Sequence, residues 1–186
     1  METSAQNTGE QKVSTRLLLA CGAIAPLLNI VVILILGATR PGYNAWQIPD
    51  SNLELGEGGW IQIANYIVTG ISVPDPVLGY PPGASSAPTV YGTLHNLFGQ
   101  LQFISLIAAC FVLARRDAAD PARRGWVWYS LATGLLIAAS DVAFVLTFKL
   151  WDGGPVGLIE RIGIIGGGIW IALLAIRLMS KKVSIA

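Results

Sequence analysis

A chain of 186 residues that is 53% hydrophobic and 12% charged is no ordinary water-soluble domain, which carries about twice that charged fraction. The mean hydropathy of +0.60 makes a lipid bilayer the expected surrounding partner. A net charge of +1 gives no footing for nucleic acid, and the sequence holds no zinc-like Cys/His spacing, phosphate loop, dinucleotide fingerprint or nucleophile elbow.

Crossing about 30 Å of hydrocarbon takes about 20 helical residues. In chain order, residues 1–16 form a polar tail carrying Lys12 and Arg16, and 17–38 is the first apolar stretch of that length. The stretch is too long for a signal-peptide core and no A-x-A-like site follows it, so it reads as a retained signal anchor. Further full spans are predicted at 90–114, 125–148 and 156–179, with a short tail at 180–186. Cys21 and Cys110 lie inside apolar runs and are expected to be small buried residues, with no disulfide framework.

Residues 39–89 form a different kind of segment. "RPGYNAWQIPD" and "VPDPVLGYPPGASSAP" are rich in Pro and Gly and read as irregular structure. The segment sets Asp50, Glu54, Glu57 and Asp75 against one cation, Arg40, which makes an acidic, aromatic cap. These acids read as solvated; divalent-cation capture is the alternative, although their spacing matches no calcium loop. "DSNLELGEGGW" predicts a short helix over 52–55, with Asp50 or Ser51 as its capping residue. The apolar run 59–73 is too short to cross, reaching about 22 Å at 1.5 Å per residue. It reads either as an interfacial helix anchored by Trp60 and Tyr66 or as a re-entrant one.

Lys and Arg in short loops set the orientation. Lys12 and Arg16, then Arg115, Arg116, Arg123 and Arg124, then Arg177, Lys181 and Lys182 belong to the cytoplasmic side. Arg40 and Lys149 fall outside. Both termini are then cytoplasmic, and residues 39–89 leave and re-enter the membrane on its outer face. The expected location is a bacterial cytoplasmic (inner) membrane.

At "RPGYNAWQIPDSNLELGEGGWIQIANYIVTG" the chain resembles the bacterial integral-membrane family called domain-of-unknown-function 998. The resemblance is carried by Pro41, Gly42, Tyr43, Ser51, Leu53, Leu55, Gly56, Gly59, Trp60, Gln62, Asn65, Thr69 and Gly70. "DPVLGYPPG" and "HNLFGQLQFISLIAACFVLARR" continue it, with His95 in the family's histidine position. The resemblance implies six spans. This chain joins the start of the second directly to the end of the third, so about one helical hairpin of roughly thirty to forty residues is missing. Losing a hairpin removes two crossings and preserves the orientation of everything downstream, as the charge count requires.

Ionisable groups at bilayer depth are costly and point to function. His95, Asp141, Glu160 and Arg161 all fall on the order of 6–11 Å below the outer boundary, counted at 1.5 Å per residue. Gly92, His95, Gly99 and Gln102 form one small and polar stripe; Gly134, Ile137 and Asp141 share a face; so do Glu160, Gly163 and Gly167, with a GxxxG spacing. One reading pairs Asp141 with Arg161 as a buried ion pair that fixes register, with His95 and Gln102 bonding between helices. A second makes His95, Asp141, Glu160, Arg161 and Gln102 the lining of an outward-facing ligand-binding cavity. In a third, Arg161 faces lipid phosphates.

The expected fold is an all-α polytopic membrane bundle in one domain, with four full spans and one short outer-leaflet interfacial or re-entrant helix. The expected function is binding or moving a small polar solute or lipid headgroup through the outer-leaflet polar cluster. A non-catalytic structural or interaction subunit, packing against a partner helix or a second copy through Gly-rich faces, is the alternative. An intramembrane enzyme has the least support: Ser105, Ser130 and Ser140 have no evident oxyanion partner, and no catalytic residue, cofactor or metal is assigned.

Overall fold

In a bilayer the backbone must satisfy its own hydrogen bonds, so long uncharged runs become helices. The computed structural model describes residues 2–69 and 90–180. Among them are five α-helices: α1 (Glu2–Thr39), α2 (Gly59–Thr69), α3 (Val90–Asp117), α4 (Arg124–Leu150) and α5 (Val156–Ser180). Every described element is helical, and α1, α3, α4 and α5 are each long and apolar enough to cross a membrane. They contain the four predicted spans. Residues 70–73 of the predicted short helix, the irregular stretch 74–89 with Asp75, and the tail beyond Ser180 lie outside the described residues.

Helix α5 packs between α1 and α4, and α3 packs on the other flank of α4. Small residues set these crossings. A Cβ at Gly168 would lie 2.9 Å from Ile30 Cδ1 of α1, and one at Gly166 would lie 3.0 Å from Leu136 Cδ2 of α4. Gly134 admits Cys110 and Phe111 of α3 in the same way. Without a hydrophobic drive between helices in lipid, close van der Waals approach of this kind is what associates them. The predicted Gly163–Gly167 face is therefore consumed inside the molecule: Gly163 meets Ser140 and Phe103, and Gly167 meets Leu106 and Ile137. It offers no free surface to a partner, which removes the feature on which the interaction-subunit alternative was based.

The contacts run antiparallel. Gly22 lies beside Ala175 while Gly37 lies beside Arg161, and Gly134 meets Cys110 while Asp141 meets Gln100. The α3–α4 turn and the C-terminal end of α5 thus gather at one end with the start of the apolar part of α1. The cap and the α4–α5 turn occupy the other. We call these the arginine end and the cap end.

At the arginine end Asp117 is buried and accepts from Arg123 Nη1 at 2.9 Å and Arg177 Nη1 at 2.7 Å. The Arg177 guanidinium also sits 4.7 Å over the Trp126 ring, Trp126 stacks on Trp170, and Trp170 Nε1 donates to Ser130 Oγ at 3.0 Å. This network closes α3, α4 and α5 on one another. Cys110 is buried as expected, but Cys21 stands on the exposed face of α1. A membrane helix reads apolar on all sides, so hydropathy does not separate its packed face from its lipid face.

Candidate functional site

The cap is organised around Arg40, Tyr43 and Arg161. Arg40 donates to the carbonyls of Leu53 and Leu55, which holds the end of α1 to the 3-10 turn Asp50–Glu54. No side chain caps that turn; Pro49 stands at its N-cap, not Asp50 or Ser51. The loop after α1 presses onto the first turn of α5, where a Cβ at Gly157 would lie 2.2 Å from the Ile48 carbonyl oxygen. A Cβ at Gly59 would lie 2.0 Å from the Glu54 carbonyl oxygen, so α2 can start only with glycine there. Gly42 and Gly56 take positive φ of 72° and 69°, which glycine adopts without penalty. Gly42, Gly56 and Gly59, three of the glycines that carry the family resemblance, are thus among those that let the cap fold tightly.

Arg161 is 5% exposed and points into this cap. Its Nη1 donates to the carbonyls of Ala45 and Gly157, both at 2.8 Å, and of Ile48 at 3.1 Å; its Nη2 donates to the Tyr43 hydroxyl. The Tyr43 hydroxyl in turn lies 2.8 Å from the Pro49 carbonyl oxygen. Burial pushes the Tyr43 phenol above its ordinary range, with Arg161 opposing the shift. The expected Asp141–Arg161 ion pair is therefore not formed, and Arg161 does not face lipid phosphates either. A helical residue one position from Glu160 points about 100° away, and here that direction is occupied by unsatisfied loop carbonyls.

The cap acids also differ from expectation. Asp50 and Glu54 are 3% and 6% exposed, not solvated, while Glu57 is exposed. The Asp50 amide donates to Glu160 Oε2 at 2.7 Å, and Tyr66 of α2 donates to Asp50 Oδ2 at 3.2 Å. Tyr66 thus turns inward instead of anchoring at an interface; burial first, then the Asp50 charge, pushes its phenol well up. Trp60, by contrast, is 70% exposed. Among the described residues no group of three or more His, Cys, Asp or Glu is arranged to hold a metal.

Two cavities meet beneath this cap. The first, about 320 Å³, lies among α3, α4, α5 and the 3-10 turn and touches His95, Asp141 and Glu160 together with Asn52, Gln100 and Lys149. The second, about 290 Å³, lies among α1, α2, α3 and α5 and touches His95, Gln102 and Glu160 together with Asp50 and Tyr66. His95, Gly99, Phe103 and Glu160 border both. Four of the five sequence-predicted site residues are thus brought together, and Arg161 alone is not.

Gln100, Asn52 and Lys149 were missed as site residues. Gln100 Nε2 donates to Asp141 Oδ1 at 3.1 Å. Gln100 falls off the polar stripe of α3, yet it lies about as deep in its helix as Asp141 does in the next, so depth is the one signal that could have found it. No sequence signal marks Asn52, because the turn that buries it is made by long-range contacts.

The profile of the family described as "Protein of unknown function (DUF998)" matches residues 23–74 and 73–177. The chain belongs to this family. The two DUF998 segments meet at residues 73–74, at the end of the run that the sequence reading takes as a fused remnant of two spans. No curated protein and no solved structure matches the chain. For this DUF998 protein, then, the membrane architecture rests on its four long apolar helices, and any functional reading depends on the cavities.

Proposed function

We propose that this protein binds a small polar solute or a lipid headgroup in the cavity at its cap end. In this reading it is a single membrane domain of a bacterial cytoplasmic membrane, with the cap on the outer side and both termini cytoplasmic. One observation carries the proposal: a cavity of about 320 Å³ at the cap end of the bundle reaches both His95 and Asp141. A charged side chain at bilayer depth costs about 2.5–3.5 kcal/mol on insertion scales. Among the described residues Asp141 offsets that cost with one hydrogen bond, from Gln100, and with no ion pair. A carboxylate of this kind is retained more readily when a ligand completes its surroundings. The cap acts as a lid over the ligand, held on α5 by Arg161 and Glu160.

The test is to purify the full chain in mild detergent and identify retained small molecules by native mass spectrometry. A double variant, His95→Ala with Asp141→Asn, should lose the retained species while keeping the helical circular dichroism of the wild type. A wild type that retains nothing across a panel of lipids and polar solutes, or a folded variant with unchanged retention, defeats the reading.

A further inference from the structure

We infer that the ligand of this cavity is a phosphate ester bearing a primary ammonium, the chemistry of a phosphoethanolamine headgroup. The inference rests on the binding reading above and names its ligand class. The lining carries charge of both signs that the protein does not pair. Asp141 supplies a carboxylate that, among the described residues, accepts from Gln100 alone, and Glu160 supplies carboxyl oxygens beside it that are hydrogen-bonded to Asp50. Arg161, which would neutralise a carboxylate, is fully engaged with the cap. Lys149 lines the same cavity from the last turn of α4, about 12 Å along the helix from Asp141 at 1.5 Å per residue, and has no ion-pair partner among the described residues. Asn52 also lines the cavity, is 1% exposed, and its Nδ2 has no acceptor among the described residues.

A donor buried without an acceptor costs free energy that a ligand oxygen recovers. A simple cation satisfies the carboxylates and leaves Asn52 and Lys149 unanswered. A simple anion does the reverse and meets Asp141 as a like charge. A zwitterion answers both sets: the ammonium goes to Asp141 and Glu160, and the phosphate goes to Lys149 and Asn52. A primary ammonium fits better than a quaternary one, because a carboxylate accepts hydrogen bonds that only N–H groups donate. Phe103, Phe144 and Val145 wall the cavity beside these polar groups and suit the glycerol and first acyl carbons of a lipid.

The experiment uses the purified full chain in detergent, titrated with phosphatidylethanolamine, phosphatidylcholine or phosphatidylglycerol and read by native mass spectrometry. Soluble glycerophosphoethanolamine is added as competitor in a separate arm. Phosphatidylethanolamine should bind about tenfold more tightly than the other two, the scale of one charged hydrogen bond. Lys149→Gln should lower that affinity, and Asp141→Asn should erase the preference over phosphatidylglycerol; both should fold as the wild type does. Displacement by the soluble competitor assigns recognition to the free headgroup, and its failure to compete assigns it to the intact lipid. Equal binding of all three lipids, or a preference for phosphatidylglycerol, overturns the inference. If a different ligand class is retained, the binding reading survives and this one falls; if nothing is retained, both fall.

Discussion

At the arginine end Asp117 is closed off by two guanidinium groups, whereas at the cap end Asp141 and Lys149 border one cavity with no ion pair for either among the described residues. Both ends hold charge, and both draw it from three helices. The arginine end uses its charge up. Arg123 and Arg177 saturate the one buried carboxylate, and aromatic rings fill the space around them. The cap end spends its strongest donor, Arg161, on neutral carbonyls and so leaves its carboxylates for something else. Buried charge by itself therefore does not mark a site here. Charge that the fold leaves unpaired beside a cavity does.

The comparison breaks most easily at Asp117. Asp117→Ala strands two arginines against a packed aromatic cluster and should cost about 3 kcal/mol, the scale for one-sided removal of a buried pair. Unfolding in a denaturing detergent series measures it, and a loss under 1 kcal/mol would show that the closed network is not structural. Arg161→Met removes the donor shared by three carbonyls and Tyr43. It should cost about 2 kcal/mol and make the cap, but not the arginine end, susceptible to limited proteolysis. Gly157→Ala forces a methyl onto the Ile48 carbonyl and should loosen the same contact by about 1–2 kcal/mol.

Alkaline pH separates the ends without a mutation. Burial raises the phenols of Tyr43 and Tyr66 above their ordinary value of 10.0, so the folded cap favours the protonated form. That contribution is complete below about pH 10 and is lost as pH rises toward the folded-state values. Proteolysis of the cap should accelerate above about pH 10, and a Tyr43→Phe, Tyr66→Phe double variant should flatten the response. The smallest effect sharpens the contrast: Asp141→Asn and Lys149→Gln should each shift stability by less than about 0.5 kcal/mol, because neither side chain has an ion-pair partner to lose. A large destabilisation from either would make the cap-end charges structural after all.

The sequence by itself determined the four long helices, the short helix beginning at Gly59 and the gathering of polar groups at one depth. Length and hydropathy are local properties, and the bilayer makes helix the only open-chain answer. It also put His95, Asp141, Glu160 and Arg161 at one depth, since depth follows from counting along antiparallel helices. Only the tertiary structure decided whom those groups face. Rotation about a helix axis is set by neighbours, and a helix apolar on every side carries little record of it, so the pairing of Arg161 with the Ala45 and Ile48 carbonyls, the burial of Asp50 and the approach of Gln100 to Asp141 were not legible beforehand.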